Sequence, residues 1–128
     1  MNSEIRTRLM DIALQYNAVT YSNISNLSGI SKHRPAAEAQ RNILGAELAA
    51  TWAETKSNEQ VRNAQLAEVL LADSKYQDAL AFIRYLEEQV KANNLRLDCL
   101  RFERDCLVAI AEGDSRLEVY EEKEVSNG

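Results

Sequence analysis

An all-α fold follows from three observations on this chain. Between Gly45 and Gly113 lie 67 residues without a glycine or a proline. Inside them an apolar seam alternates strictly in steps of three and four from Tyr76 to Ala111. The composition has few aromatic residues, many Ala, Leu, Glu, Gln and Arg, and a single proline, which suits helices. The architecture expected from these is a small N-terminal three-helix head, helix-turn-helix-like in outline, followed by a long antiparallel helical hairpin or coiled coil. The expected boundaries are 1–45 for the head, 46–112 for a hairpin that serves oligomerisation, and 113–128 for an acidic tail.

In the head, Ile5, Leu9, Ile12, Ala13 and Tyr16 recur at helical spacing and predict a first helix over about 3–16. Asn17 to Thr20 reads as a break with Thr20 as N-cap. A short second helix over 21–27 presents Ile24 and Leu27 on one side. Ser28-Gly29 is expected to close it, because glycine takes the left-handed conformation that ends helices. Ser31 caps a third helix, and Pro35 fits only its first turn, which places the start between Ser31 and Arg34. Three short helices with a tight glycine turn make a helix-turn-helix outline, or else a three-helix cap over the end of a bundle.

From Ala36 onward Ile43, Leu44, Leu48 and Trp52 are the heavy apolar members, and the chain is expected to fold back. Two Ser-x-x-Gln capping boxes offer a reversal, Ser57 to Gln60 at the stretch from Thr55 to Glu59, and Ser74 to Gln77 at the stretch from Ala72 to Lys75. The second is favoured, with Val61, Ala64, Leu66, Val69, Leu70 and Leu71 then facing the long seam. That seam reads Tyr76, Ala79, Ile83, Leu86, Val90, Asn93, Leu97, Leu100, Arg104, Leu107 and Ala111, alternating a and d positions of a heptad. Leu80, Phe82, Val108 and Ile110 broaden it toward the width of a bundle helix. Asn93 is expected to select register or helix number and Arg104 to carry its charge out to water over an apolar stem, or else both mark where the partner helix has ended. Arg84 with Glu88, Glu87 with Lys91 and Arg101 with Asp105 are opposite charges one turn apart, the habit of a solvated face.

The net charge of −5 is unevenly shared. Residues 1–45 sum to +2 and residues 46–128 to −7, so a polyanion is expected to meet the head through Arg6, Arg8, Lys32, His33, Arg34 and Arg41. The residues Tyr76, Ile83, Leu86, Val90, Asn93, Leu97, Leu100 and Leu107 are the expected oligomer interface. No zinc spacing, phosphate loop, dinucleotide fingerprint, nucleophile elbow or calcium loop is present, and His33 is the single histidine. No catalysis, cofactor, metal or small-molecule substrate is therefore expected. Glu4, Arg6, Arg8 and Asp11 interrupt the first apolar positions, so no signal peptide, no membrane segment and a cytoplasmic location are expected. Cys99 and Cys106, seven apart on one helical face, are too distant to bridge each other and are expected to be reduced.

From Leu48 and Trp52, through Val69-Leu70-Leu71-Ala72-Asp73-Ser74-Lys75-Tyr76, to the Leu-, Cys- and Arg-bearing helix ending near Ile110, the chain resembles small phage-type recombination mediators of the UvsY kind. The resemblance covers half the chain. It implies a non-catalytic oligomer that binds single-stranded DNA and assists a recombinase. Because 46–128 is acidic, with Lys56 and Arg62 the basic candidates in the matching charged helix, such DNA binding would shift to the head. Three functions are thus expected in rank order: an oligomeric nucleic-acid-associated accessory protein of phage or mobile-element type; a helix-turn-helix transcriptional regulator; or a protein–protein interaction module such as a phage inhibitor or assembly factor.

Overall fold

The computed structural model describes residues 2–52 and 58–127. It is all-helical among them, with α1 at Ser3–Trp52, α2 at Glu59–Ala72 and α3 at Ser74–Asn127. The chain divides into two compact units, one of Met1–Asn23 with Lys91–Gly128 and the other of Ile24–Val90. None of the described helices is long and apolar enough to cross a membrane.

The three-helix head is corrected to one helix. The break expected at Asn17 to Thr20, the closure at Ser28-Gly29 and the new start before Pro35 all lie inside α1, and no glycine or other described residue has a positive φ. The helix-turn-helix outline is accordingly absent from Ser3–Trp52. A mid-helix glycine costs about 1 kcal/mol and a mid-helix proline about 3. Each large apolar side chain taken out of water returns roughly 1.5–3 kcal/mol, and α1 buries Ile12, Val19 and Ile30 to within a tenth of their area. Packing therefore outweighs the local signals. The register behind it was readable: Ile5, Leu9, Ile12, Tyr16, Val19 and Asn23, then Asn26, Ile30, His33, Ala37, Gln40 and Leu44, step in strict fours and threes, and all are buried or half-buried. Asn23, Asn26, His33 and Gln40 disguise the pattern because they are polar.

In the first unit the N-terminal part of α1 and the later part of α3 run antiparallel. Arg8 meets Glu103, Tyr16 meets Arg101, and Asn23 meets Asn94. Ile12, Val19, Leu97, Leu100 and Ala111 are its buried apolar residues. At the end of this unit's α1 segment polar residues cross the seam: Asn23 Nδ2 donates to Asn94 Oδ1 at 2.9 Å and Asn93 Nδ2 to Ser22 Oγ at 3.3 Å. Asn93 thus faces α1 of its own chain.

In the second unit Ile30, Ala37, Ile83 and Leu86 form the core, with Tyr76, Ala79 and Val90 packed against it. Gly29 lies under Leu86, so close that a Cβ there would stand 2.8 Å from Leu86 Cδ1. The glycine serves close approach of two helices rather than a turn. The favoured reversal at Ala72 to Lys75 is also corrected. Contacts pair Trp52 with Gln65, Gln40 with Asp73, and Ala37 with the cluster around Tyr76 and Ile83, so α2 and α3 both run opposite to α1. The direction has reversed by Glu59; the alternative reversal site from Thr55 lies largely in 53–57, outside the described residues. Asp73 alone separates α2 from α3. Its amide still donates to Val69 O and its carbonyl accepts from Gln77 N, while its carboxylate caps α3 by accepting from Tyr76 N at 2.7 Å. Asn58 caps α2 in the same way, accepting from Val61 N at 2.9 Å. At the other end α3 continues through Gly113 to Asn127, so the stretch read as a solvated tail is helical to that point.

Candidate interaction surfaces

The six cations expected to meet nucleic acid stand along α1 and are divided between the two units. In the first unit Arg6 is exposed, whereas Arg8 forms a forked pair with Glu103, its Nε to Oε1 and its Nη2 to Oε2 at 2.8 Å, and also reaches Asp11. The guanidinium's hydrogen bonds hold the Glu103 carboxyl below its ordinary value, and Glu103 in turn raises Arg8. In the second unit Lys32 and Arg41 are exposed. Arg34 donates to Glu87 Oε1 at 2.9 Å, and the His33 ring lies 4.6 Å from the ring of Phe82, tilted by 32°. Arg34 and Arg41 rim a groove of about 340 Å³ with Arg84, but Glu38 and Glu87 share the rim and Ala37, Ile83 and Leu80 lie in it. Two of the six charges, Arg8 in the first unit and Arg34 in the second, are thus held by carboxylates.

The expected oligomer interface faces inward. Ile83, Leu86, Leu97 and Leu100 are buried, and Tyr76, Val90, Asn93 and Leu107 half-buried, in the seam that α3 shares with α1. That partner is the same chain. Arg104, the second polar intrusion, is exposed and bonded to neighbouring Asp105 at 3.1 Å.

Sequence reasoning caught only part of a second apolar face on α1 and α3: it named Phe82, Ile110 and the shared face of Cys99 and Cys106, but not Leu95, Phe102 or the exposed apolar residues of α1. In the first unit α3 exposes Leu95 by 67% and Phe102 by 73%, while Leu97 and Leu100 on its other side are buried. Leu95, Cys99, Phe102 and Cys106 step by four, three and four, so they share one stripe. Both cysteines are free and exposed on it, and Ile110 continues it at 53% exposure. On α1 the same unit exposes Met10, Leu14 and Tyr21, by 64%, 70% and 78%. The second unit exposes Ile24, Leu27, Phe82 and Tyr85. The heptad spacing of Leu95 to Cys106 was the available signal; it hid behind the stronger seam two positions away.

Other features are structural. Trp52 Nε1 donates to Gln65 Oε1 at 2.6 Å under the guanidinium of Arg62. Arg101 lies over the Tyr16 ring and donates to its hydroxyl, which raises the arginine above its ordinary value. Among the described residues no group of three His, Cys, Asp or Glu side chains is placed to hold a metal ion. No protein-family model, curated protein or solved structure matches this chain.

Proposed function

We propose that the chain is a non-catalytic helical interaction protein that works as a homo-oligomer, which joins the oligomeric state of the first function expected from sequence to the protein–protein role of the third. The observation that carries this reading is the two-sided α3 of the first unit, with Leu97 and Leu100 buried on one face and Leu95 and Phe102 bare on the other. A helix that is apolar on both sides has one partner too few when a single neighbour covers it. The nucleic-acid-associated role stands on less, because Arg8 and Arg34 already face carboxylates. Arg6, Lys32 and Arg41 would neutralise only a few phosphates per chain, so useful affinity would require several chains on one strand.

Light scattering on the chromatographed protein tests the reading. A mass of at least twice 14.4 kDa is expected at micromolar concentration. A single-chain mass at about 50 μM would reject it, since obligate helical assemblies hold together far below that.

A further inference from the structure

We propose that Asp73, Gln77 and Gln40 form a latch that keeps α2 and α3 apart, and that opening it fuses the two into one helix from Glu59 onward, with a different face of α2 turned toward α1. All of these residues lie in the second unit. Local sequence does not require a break at Asp73. Neither glycine nor proline occurs between Gly45 and Gly113, and Leu70, Leu71 and Ala72 before the joint are good helix formers, as are Lys75 and Gln77 after it.

The break is made by side chains. Asp73 takes an extended ψ of 109°, although its amide still donates to Val69 O and its carbonyl still accepts from Gln77 N. What a continuous helix would add are the bonds from the amides of Ser74, Lys75 and Tyr76 to the carbonyls of Leu70, Leu71 and Ala72. Two of those groups have found side-chain partners: Tyr76 N donates to Asp73 Oδ2 at 2.7 Å, and Leu70 O accepts from Gln77 Nε2 at 2.8 Å. Gln40 Nε2 of α1 donates to the same Asp73 oxygen at 3.2 Å and ties the joint to the opposite helix. Without that carboxylate, the Tyr76 amide has only water or the helical ladder to turn to.

Fusion changes which residues of α2 are covered. Tyr76, Ala79, Ile83 and Leu86, continued backward in steps of three and four, lead to Ala72, Val69, Gln65 and Arg62. Gln65 and Ala72 are nevertheless exposed, while Leu66 and Leu70 are half-buried in their place. The joint thus turns α2 by one residue, about 100° at 3.6 residues per turn. It sets two leucines where a continuous helix would set a glutamine and an alanine. Opening the latch adds backbone hydrogen bonds and bares Leu66 and Leu70, opposing effects of similar size, so the joint has two competing arrangements.

Amide hydrogen exchange on the full chain, followed by nuclear magnetic resonance, tests the latch. In the wild type the Lys75 amide has no helical acceptor and should exchange near the unprotected rate. In Asp73→Ala it should bond to Leu71 O and slow by at least about tenfold, with far-ultraviolet circular dichroism undiminished. Adding Ser74→Pro to that variant should restore fast exchange, because proline suits the first position of a helix, holds the residue before it extended and cannot sit within a fused one. A Lys75 amide protected in the wild type, or left unprotected in a helical Asp73→Ala, would overturn the proposal. Should Asp73→Ala lose helicity, Gln40→Ala decides, since it leaves the joint's own residues intact: Lys75 exchange should slow there too, and an unchanged rate rejects the latch. The turned face has its own readout. With Cys99→Ser and Cys106→Ser in place, Ala72→Cys should react with iodoacetamide at least about threefold more slowly once Asp73→Ala is added; equal rates would show that α2 does not turn.

Discussion

Replacing Gly29 by alanine should change sign in its effect on stability according to what stands at position 86. Alanine in a helix interior is favoured over glycine by about 1 kcal/mol, because the glycine chain loses more freedom on folding. Here the new Cβ would lie 2.8 Å from Leu86 Cδ1, well inside the roughly 3.5–4.0 Å of an optimal carbon contact. Leu86 is only 7% exposed and belongs to the buried cluster of the second unit, so moving its methyl disturbs packed neighbours. Overpacking of this kind costs about 1–3 kcal/mol. The net expectation for Gly29→Ala is a loss of roughly 0–2 kcal/mol. Leu86→Ala alone should cost about 2–5 kcal/mol for the buried side chain and the cavity it leaves. With that methyl gone, Gly29→Ala should stabilise by about 1 kcal/mol. Urea unfolding of the four proteins, followed by circular dichroism at one fixed protein concentration, measures the cycle. If Gly29→Ala has the same effect in both backgrounds to within about 0.5 kcal/mol, the close approach of the two helices at this point is wrong.

Pro35→Ala should raise stability by about 1–3 kcal/mol, because α1 runs through Pro35 and the substitution restores an amide that can donate within the helix; a lower urea midpoint would mean that the helix ends there. Glu103 is held below 4.5 by hydrogen bonds from Arg8, so its contribution is present above that value and is lost as pH falls through the lower folded-state value. Glu103→Gln should therefore be less stable than wild type at pH 7 and should lose less on acidification below pH 4.5; parallel pH profiles for the two proteins would dismiss the pair as a stabilising contact. Fluorescence anisotropy with labelled single- and double-stranded oligonucleotides should show no binding at about 0.15 M salt, where surface charges are screened within about 8 Å. Micromolar binding there, abolished by reversing Lys32 and Arg41, would restore the nucleic-acid reading.

The 3,4 periodicity from Tyr76 to Ala111 determined α3 and its buried face from sequence alone, because a helix has no other way to place Ile83, Leu86, Leu97 and Leu100 on one side. A helix start close to Ser74 was legible as well, although the cap is the Asp73 carboxylate, which accepts from Tyr76 N, and not the Ser74 read as opening a capping box. A cap, however, records only that some amides need acceptors and says nothing about where the chain goes next. At Asp73 it marks a one-residue interruption and not the expected hairpin turn. In α1 the local chemistry of Ser28-Gly29 and Pro35 pointed to breaks, and only the antiparallel partner decided otherwise. Gly29 gains its meaning from the Leu86 side chain above it, and Asn23 from Asn94 across the seam. The same holds for the candidate surface. Sequence put Leu95, Cys99, Phe102 and Cys106 on one stripe, but a stripe becomes an exposed one only when the opposite face has been taken, and α1 took the face of Leu97 and Leu100. Charge behaved likewise: Arg8 and Arg34 were visible as cations, while the carboxylates of Glu103 and Glu87 that hold them came from 95 and 53 residues away. Periodicity is local and survives in the sequence; partnership between distant residues is a property of the folded chain.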